Sequence, residues 1–464
     1  MNILFASSEI FPHAKSGGLA DVSAALPHAI KEFENISRVM PLYGFMGMKG
    51  LMEVDSFEFS LSGITYDVEV YKKTKNKITT YFIKAPLLSQ TQNLYGDENG
   101  DYGNNDLRFA IFSMAIVKLA LRLKIDILHL NDWHVALVAL YVKDENLNIK
   151  TVFSIHNLAY QGIFDVDSLS RIGVDSKYFH IDALEFYGKV NFLKAGIAFC
   201  DALTTVSPTY AKEILTKEFG CGLDGFLKVH KSKLSGILNG IDTTLFNPKT
   251  DKYLVCHFDT KSLKDKHKNK VDFIKRSTLK DPRKPLFVMI TRLVEQKGVE
   301  LVLDLFDKLL ENKINLFILG EGDEIISQKF EKLSNRYNNF EFFRGYDEGL
   351  SHMAYASADF LLMPSRFEPC GLNQFIAMRY GTIPVIHSVG GLKDSVFEDS
   401  VACGNGVVFE DFTKKEFLSA IERALKLKKD KKRFDDIKVL NMRCDFSFNK
   451  SALEYLKIYK EILV

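Results

Sequence analysis

The chain has 464 residues, more than a single hydrophobic core normally supports, so two or three domains are expected. Hydrophobic residues make up 46% and charged residues 26% of the sequence, a balance that is typical of a globular protein and excludes a disordered, collagen-like or coiled-coil chain. The formal net charge of +2 predicts no general attraction to nucleic acid or to an anionic membrane, although it is compatible with a local basic cleft.

The first half of the chain alternates strands with helices. Residues 3–6 form a short apolar stretch typical of a buried strand, and a helix with apolar residues at helical spacing opens at Gly17 and Gly18. Residues 56–85 alternate at period two between turns rich in Lys and Asn, which predicts an antiparallel insertion. The remaining elements are predicted helices at 107–124 and 133–143 and predicted strands at 126–130, 151–155, 202–206 and 234–238.

The middle of the chain differs from what precedes it. Residues 249–283 lose the apolar periodicity and become dense in Lys and Asp, so we interpret 241–284 as a partly helical connection between domains. The second half then repeats strand–helix units. These are predicted strands at 286–290, 314–319, 340–343, 359–363, 383–387 and 406–409, and predicted helices at 298–311, 324–336, 347–357, 371–380 and 414–428.

Repeated strand–helix units of this length predict an α/β fold in which parallel sheets are covered by helices on both faces. The sequence therefore predicts two doubly wound, Rossmann-like domains facing a central cleft, at residues 1–240 and 285–445. The tail carries apolar residues on one helical face. Residues 446–464 are accordingly predicted to form a C-terminal helix that braces the first domain.

Cysteine usage and the N-terminus indicate the compartment. The six cysteines include no C-x-x-C pair, which argues against a disulfide scaffold and a structural zinc site. The first residues are typical of a strand rather than a signal peptide, because a basic region is absent and Glu9 interrupts the apolar stretch. No window is long and apolar enough for a membrane helix. A soluble cytoplasmic protein is expected.

A glycine-containing sequence occurs twice. Gly-Gly-Leu-Ala-Asp at 17–21 is repeated as Gly-Gly-Leu-Lys-Asp at 390–394, each after a strand and at the start of a predicted helix. Glycine lets a ligand approach the backbone closely, and the N–H groups of a first helical turn attract anions. Both segments are therefore candidate anion sites, while the simpler interpretation is two ordinary strand-to-helix turns.

Charged residues follow several predicted strands. Glu368 lies directly beyond a strand of the second half, at the edge of an open sheet where ligands bind. Arg292 and Lys297 follow the first strand of that half, where two cations can hold a phosphate group. Lys15 and Asp21 share the corresponding loop of the first half. The alternative is that Glu368 is a solvated loop acid and that the cations are ordinary loop residues.

Metal and cofactor motifs are weak. His129, His134 and His156 lie at two strand ends and a helix start, where polar contacts are favoured over metal coordination. Asp165 and Asp167 form a D-x-D sequence that follows a loop, which makes it a poor candidate for a divalent cation. The P-loop, nucleophile-elbow and dinucleotide fingerprints are absent, which argues against kinases, hydrolases and dehydrogenases. No metal or cofactor site is predicted.

Several longer segments are more specific. They are KSGGLADV (15–22), LNDWH (130–134), IHNLAYQG (155–162), LTTVSPTYAKEI (203–214), ILNGIDTTLFNP (237–248), TRLVEQKG (291–298), PSRFEPCGLNQFIAMRYGTIPV (364–385), GGLKDSV (390–396) and DFSFNKSALEYLKIY (445–459). In this order they resemble the bacterial glycogen synthase and plant starch synthase family, retaining glucosyltransferases with the two-lobed GT-B fold. The Glu-x₇-Glu pattern of many other GT-B transferases is absent, because the second position is Ile376.

The resemblance implies roles for individual residues. Those expected to bind the nucleotide and its phosphates are Lys15, Gly17, Gly18, Arg292, Lys297, Tyr346, Cys370, Gly371, Leu372 and Asn373. Within this set Tyr346 would stack on the base. Those expected to contact the donor sugar are Asp132, His156, Asn157, Asn239 and Glu368. Tyr95 matches a position near the acceptor. The residues expected to take part in catalysis are Asp21, His156, Glu368, Arg292 and Lys297.

The resemblance also implies a reaction. The chain is expected to transfer glucose from ADP-glucose to the non-reducing 4-hydroxyl of an α-1,4-glucan such as glycogen, with retention of configuration. Protein cations would neutralise the departing diphosphate, so neither a metal nor a cofactor is expected. Asn131 departs from the family pattern and is expected to affect the acceptor side. A small-acceptor glycosyltransferase, a nucleotide-sugar epimerase and a catalytically inactive sensor are the alternatives, and the preference for ADP or UDP and the oligomeric state are left open.

Overall fold

The computed structural model describes residues 1–98, 100–311 and 313–464. They form two compact units. The N-terminal unit comprises Met1–Gly240 together with Phe448–Val464, and the C-terminal unit comprises Ile241–Ser447. Among the described residues, no helix combines the length and the apolar character that a membrane crossing requires.

The N-terminal unit is built from strands and helices in alternation. Its strands are β1 (Asn2–Ala6), β2 (Asn35–Pro41), β3 (Met52–Leu61), β4 (Ile64–Lys75), β5 (Ile78–Lys84), β6 (Gly96–Asp97), β7 (Gly100–Asp101), β8 (Ile127–Asn131), β9 (Lys150–Ile155), β10 (Ile163–Phe164), β11 (Glu185–Phe186), β12 (Lys189–Asn191), β13 (Ala202–Thr205) and β14 (Leu234–Gly236). Its helices up to Gly240 are α1 (Gly18–Lys31), α2 (Pro86–Ser89), α3 (Asn105–Leu123), α4 (Leu137–Asp144), α5 (Ser168–Arg171), α6 (Phe192–Phe199), α7 (Pro208–Glu213) and α8 (Asp224–Val229).

The main sheet of this unit has the order β14-β13-β9-β8-β1-β2-β5-β4-β3. The strands from β14 to β5 are parallel to their neighbours, and β3, β4 and β5 pair in antiparallel register. The alternating stretch around 56–85 therefore extends the sheet through β5 instead of standing apart from it. In this order the connections run to opposite sides of β1 and β8, so a topological switch point lies between these two strands.

The C-terminal unit repeats this architecture more compactly. Its strands are β15 (Leu286–Ile290), β16 (Asn315–Gly320), β17 (Phe340–Arg344), β18 (Phe360–Met363), β19 (Ile383–His387) and β20 (Val407–Phe409). Its helices are α9 (Lys266–Arg276), α10 (Val299–Asp304), α11 (Phe306–Glu311), α12 (Glu324–Arg336), α13 (Glu348–Ser357), α14 (Asn373–Arg379), α15 (Gly390–Ser395), α16 (Lys414–Lys429) and α17 (Lys431–Arg443). The predicted helix 298–311 is divided at Leu305 into α10 and α11.

The sheet of the C-terminal unit is parallel throughout, in the order β17-β16-β15-β18-β19-β20. Every residue of β15, β16, β18 and β19 is buried. Such continuously apolar strands are expected where helices cover both faces of a parallel sheet. The strand order places a switch point between β15 and β18, equivalent to the one between β1 and β8.

The interpretation of 241–284 as a connection is wrong, because this segment is an integral part of the C-terminal unit. Phe258 and Phe273 are buried in it. The Nζ of Lys266, in α9, donates hydrogen bonds to the carbonyl oxygens of Tyr355 and Ala356 at 3.1 and 2.9 Å. A lysine-rich composition usually indicates a solvated segment, whereas this lysine points inward and caps backbone acceptors.

The last helix, α18 (Asn449–Leu463), belongs to the N-terminal unit. It packs against α1, and its Tyr455 and Tyr459 are buried in the core of that unit. The hydroxyl of Tyr459 forms a 2.6 Å hydrogen bond with Nδ1 of His129 in β8. The apolar face recognised in the tail therefore covers the first unit, and a buried polar contact fixes its register on the sheet.

Candidate active site

The chemically active side chains of the N-terminal unit follow the two strands that flank its switch point. Glu9 comes three residues after β1 ends, and Asp132 comes one residue after β8 ends. Parallel strands end at the same edge of a sheet, so β1 and β8 deliver these carboxylates to one place although 123 positions separate them in the chain. Ligands bind at such an edge in open α/β sheets.

The turn that carries the first Gly-Gly pair, residues 15–21, is the first glycine turn. Gly17 precedes α1 in an extended conformation with φ −159°, and a Cβ added there would meet no atom within 4 Å. The Nζ of Lys15 lies 2.8 Å from both carboxylate oxygens of Asp21. The structure thus brings together Lys15, Asp21 and the amino end of α1. The helix start is the part of this turn that suits an anion, while Lys15 is paired with Asp21.

Glu9 organises this turn and was missed by the sequence analysis. Its Oε2 accepts hydrogen bonds from the backbone N–H groups of Ser16 (2.5 Å) and Gly17 (3.2 Å). Its Oε1 accepts from the hydroxyls of Ser16 (2.8 Å) and Tyr95 (2.9 Å). Burial raises the pKa of Glu9, while these donors act in the opposite direction. Its position as the first carboxylate beyond β1 is the signal that could have identified it.

The backbone of Asp132 is strained and its side chain is buried. Its backbone has φ 60° and ψ 178°, a region that residues other than glycine rarely occupy and that is found mostly at functional sites. Its Oδ1 accepts the backbone N–H of His156 at 2.7 Å, and the N–H of Asn157 also donates to the carboxylate. Burial, assisted by the charge of Glu9, raises the pKa of Asp132 to about 7 against the effect of these two donors.

The side chain of His156 is oriented by Asn131, the residue that departs from the family pattern. The Nδ2 of Asn131 donates to the carbonyl oxygen of Ala6 at 2.9 Å, so its Oδ1 is left as the acceptor toward Nε2 of His156 at 2.9 Å. His156 therefore carries its proton on Nε2. Burial lowers the pKa of His156 to about 4, which keeps the ring neutral near pH 7.

Asn239 is the remaining sugar-side residue of this unit. It follows β14 and is 6% exposed. Its Oδ1 is buried and accepts no hydrogen bond from the residues that the structure describes. A buried amide oxygen is expected to be satisfied by some donor, so this atom is suited to a ligand hydroxyl.

The C-terminal unit presents its charges at the equivalent switch point. Arg292 and Lys297 follow β15, and Glu368 follows β18, the neighbouring parallel strand. The Nζ of Lys297 lies 2.6 Å from Oε2 of Glu368, and the Ser365 hydroxyl donates to the same oxygen at 3.0 Å. The Lys297 and Glu368 side chains are 18% and 7% exposed. The structure thus confirms that Glu368 is not a solvated loop acid.

The second glycine turn, residues 390–394, packs against the segment that carries Glu368. The N–H of Gly391 donates to the backbone carbonyl of Glu368 at 3.1 Å. A Cβ added to Gly391 would lie 2.3 Å from the carbonyl oxygen and 2.5 Å from the Cα of Cys370. Glycine is therefore required here by a close approach of two backbones, and this turn supports the loop of Glu368 rather than facing open space.

The remaining predicted nucleotide residues lie around the start of α14. Asn373 is its first residue, and its Nδ2 donates to the carbonyl of Ile290 at the end of β15, 2.6 Å away. Cys370 is buried, while Gly371 and Leu372 are half-buried. Tyr346 stands apart: it lies in the turn between β17 and α13, is 59% exposed, and is separated from β15 by β16.

Two of the weak metal candidates, His129 and Asp165, have other partners. Both ring nitrogens of His129 are used, by the hydroxyls of Tyr459 and Ser154, which confirms the polar-contact interpretation of this histidine. Asp165 is highly exposed and forms a 3.2 Å ion pair with Lys189. Within the described parts of the chain, no group of three or more His, Cys, Asp or Glu side chains is placed to hold a metal ion.

Comparison with protein families finds two matches that together span most of the chain. Residues 2–229 match a family described as starch synthase catalytic domain, and residues 270–438 match glycosyl transferases group 1. Among curated proteins, glycogen synthase of Aquifex aeolicus is 41% identical over 467 residues, covering 100% of this chain and 99% of that protein. Glycogen synthase of Bacillus cereus strain Q1 is 38% identical, with 100% of both chains covered.

Comparison with solved structures also finds similarity over the whole chain. The catalytic domain of starch synthase IV from Arabidopsis thaliana, bound to ADP and acarbose, superposes with a TM-score of 0.92 at 34% identity, covering 100% of this chain and 99% of that one. Sucrose-phosphate synthase from Thermosynechococcus elongatus has a TM-score of 0.66 at 15% identity over 100% and 99% of the two chains, a similarity that bears on the fold alone.

Proposed function

This chain belongs to the glycogen synthase and starch synthase family of GT-B glycosyltransferases, and from that premise we propose that it extends an α-1,4-glucan from ADP-glucose with retention of configuration. ADP is favoured as the nucleotide because the Arabidopsis relative was solved with ADP and acarbose. Glycogen, or a shorter α-1,4-glucan, is the proposed acceptor.

One observation carries this proposal: Lys297 and Glu368 form a largely buried 2.6 Å pair at the switch point of the C-terminal unit. A nucleotide sugar brings both a diphosphate and a hydroxyl-rich ring, and this pair offers a cation to the first and a carboxylate acceptor to the second. Arg292, after the same strand as Lys297, adds a second cation with fixed fork geometry.

In the proposed reaction the glucosyl–phosphate bond breaks as the acceptor 4-hydroxyl approaches on the face that the nucleotide leaves. Arg292, Lys297 and Lys15 stabilise the negative charge that develops on the departing diphosphate, a task that preorganised protein cations perform without a metal. The proton of the attacking hydroxyl passes to the leaving phosphate oxygen. Glu368 orients the glucosyl ring and supports the positive charge that develops on it.

Asp132 and His156, in the N-terminal unit, have positioning roles in this proposal. Asp132 would accept a sugar hydroxyl, since two backbone donors and its strained backbone fix its carboxylate in place. His156 is neutral with its proton directed at Asn131, so its Nδ1 is suited to accept rather than to donate a hydrogen bond. Asn239 would receive a sugar hydroxyl on its buried Oδ1.

The test is a panel of donors and acceptors. Purified protein is incubated with glucose-labelled ADP-glucose or UDP-glucose and with glycogen, maltooligosaccharides or small alcohols and sugars, in the presence and absence of a chelator. We expect label from ADP-glucose to enter the polymer through new α-1,4 linkages, with the chelator having no effect. Label appearing only in a small glycoside, epimerisation of the donor without transfer, or loss of activity with the chelator would each contradict the proposal.

A further inference from the structure

The carboxylate of Glu9 is saturated with hydrogen bonds. Each of its oxygens accepts two, at distances between 2.5 and 3.2 Å, and the side chain is almost fully buried. Burying a carboxylate is costly unless donors satisfy it completely, so this arrangement is specific to an acceptor at position 9. Three of the four donors belong to Ser16 and Gly17, in the middle of the first glycine turn.

The fourth donor, Tyr95, connects Glu9 to the aromatic residues beyond β8. Its hydroxyl donates to Glu9 and forms a 2.8 Å hydrogen bond with the hydroxyl of Ser8. Its ring stacks on His134 at 4.4 Å between centroids, and His134 in turn stacks on Trp133 at 4.0 Å. The hydroxyl of Tyr95 is therefore directed at Glu9, and its ring is held in place by stacking.

We propose that Glu9 and Tyr95 are positioning residues that hold the first glycine turn in the geometry required to receive the donor diphosphate. This inference rests on the proposed function and assigns Tyr95 to the donor side, whereas the family resemblance implies a place near the acceptor. Neither residue needs to touch the nucleotide: Glu9 acts through the backbone of Ser16 and Gly17, and Tyr95 acts through Glu9.

The same contacts determine which groups of the turn are available to a phosphate. The N–H of Gly17 is directed at Glu9, so this amide is not the donor that the resemblance suggests. The N–H groups that begin α1 at Gly18 and the Nζ of Lys15 are the groups suited to an anion. Glu9 thus uses two amides of the turn, those of Ser16 and Gly17, to fix the direction of the others.

The experiment compares Glu9→Ala, Glu9→Gln and Tyr95→Phe with a matched control, Tyr141→Phe. Tyr141 is a buried tyrosine of α4 in the same unit, and its hydroxyl donates to the carbonyl of Ile172 at 2.7 Å. Each tyrosine variant loses one hydrogen-bonded hydroxyl. For each protein we would measure kcat, KM for ADP-glucose, KM for glycogen, the Kd of ADP by calorimetry, and Tm.

We expect Tyr95→Phe to lower kcat/KM for ADP-glucose by about tenfold, the effect of one hydrogen bond to a charged group. Glu9→Ala should lower it by at least about a hundredfold, because the turn loses three bonds at once. Glu9→Gln should recover much of this loss, since an amide oxygen can still face the two backbone N–H groups while its NH₂ faces the two hydroxyls. KM for glycogen should not change, and Tyr141→Phe should alter only Tm.

Two results would overturn the inference. One is a folded Tyr95→Phe protein with unchanged donor kinetics and unchanged ADP affinity. The other is a variant whose main effect is on KM for glycogen, which would return Tyr95 to the acceptor side. If Glu9→Ala does not fold, Glu9→Gln and Tyr95→Phe still decide between these outcomes. Absence of glucosyl transfer by the unmodified protein would contradict the proposed function instead, and ADP affinity would then remain the test of the turn.

Discussion

The two glycine turns share a sequence and have different physical reasons for their glycines. In the first turn a Cβ at Gly17 would meet only open space, and the N–H of Gly17 is bound by the side chain of Glu9. In the second turn a Cβ at Gly391 would overlap the backbone of Cys370, and the N–H of Gly391 is bound by the backbone of Glu368. Gly17, the first glycine of its pair, is therefore open, whereas Gly391, the second glycine of its pair, packs against the segment that carries Glu368.

This difference determines what each neighbouring carboxylate can do. The side chain of Glu9 is used by three donors of the first glycine turn and by Tyr95. The side chain of Glu368 is left for Lys297 and Ser365, because its backbone carbonyl is the group that binds the second glycine turn. The lysine–carboxylate ion pairs of the two units also differ in burial. Lys15 and Asp21 are 32% and 27% exposed, against 18% and 7% for Lys297 and Glu368. The second turn thus supports the more buried, and electrostatically stronger, ion pair.

The largest effect is expected from Gly391→Ala. A Cβ there would lie 2.3 to 2.7 Å from three backbone atoms of Cys370, so one of the two backbones must move and take Glu368 with it. We expect a loss of about 1–3 kcal/mol in the free energy of unfolding and the loss of nearly all transfer activity. Thermal unfolding and glucan synthesis assays measure both. A stable, active Gly391→Ala protein would contradict the packing explanation.

The next largest effect is expected from Lys297→Ala. The substitution removes a cation from the proposed diphosphate site and leaves the buried carboxylate of Glu368 with the Ser365 hydroxyl as its remaining side-chain donor recorded in the structure. We expect kcat to fall by about a hundredfold, equivalent to about 3 kcal/mol of barrier.

Lys15→Ala tests whether the more exposed pair matters less, and Lys329→Ala, an exposed lysine of α12, controls for loss of charge. Equal kinetics for Lys297→Ala and Lys329→Ala would show that the buried pair has no part in transfer.

Asp132→Asn tests the buried carboxylate beside the first glycine turn through pH. The pKa of Asp132 is raised from 3.8 to about 7, so the folded protein retains a proton that the unfolded chain releases. Its contribution to stability is therefore complete below about pH 4 and is lost as the pH rises through 7. From pH 5 to pH 8, Asp132→Asn should gain stability relative to the parent protein by on the order of 3 kcal/mol.

Unfolding measured at both pH values checks this prediction, with Asp165→Asn as a control because Asp165 is highly exposed. A parent protein and an Asp132→Asn variant with parallel pH–stability curves would show that Asp132 is ionised throughout the range. Transfer activity should fall in Asp132→Asn above about pH 7, where the parent protein carries a carboxylate, because an amide cannot replace the carboxylate as an acceptor for both backbone N–H groups and a sugar hydroxyl.

The smallest effect is expected from Gly17→Ala. The extended φ of −159° suits any residue and a Cβ meets no atom, so the free energy of unfolding should change by no more than about 0.5 kcal/mol. Activity should fall by about tenfold or less, since the methyl group would enter the space proposed for the diphosphate. Equal destabilisation by Gly17→Ala and Gly391→Ala would remove the contrast between the two turns.

Much of the architecture and of the C-terminal site followed from local patterns. Period-two and helical spacing indicated the strands and helices, and the charges that follow predicted strands identified Arg292, Lys297 and Glu368. The interpretation of 241–284 as a connection failed, because the frequency of lysine in a segment does not show whether a lysine side chain points into the protein or into solvent. Lys266 turns inward to bind carbonyl groups that belong to residues about 90 positions away.

What the sequence determined by itself was which residues could do chemistry and which stretches form strands and helices, because hydrophobic period and strand-end charge are local properties. Only the tertiary structure decided that Glu9 saturates its hydrogen bonds on the first glycine turn, that Asn131 orients His156, and that Gly391 is a packing residue. Strand order brings such partners together across tens to hundreds of residues, and both burial and hydrogen-bond geometry depend on that order rather than on any local pattern.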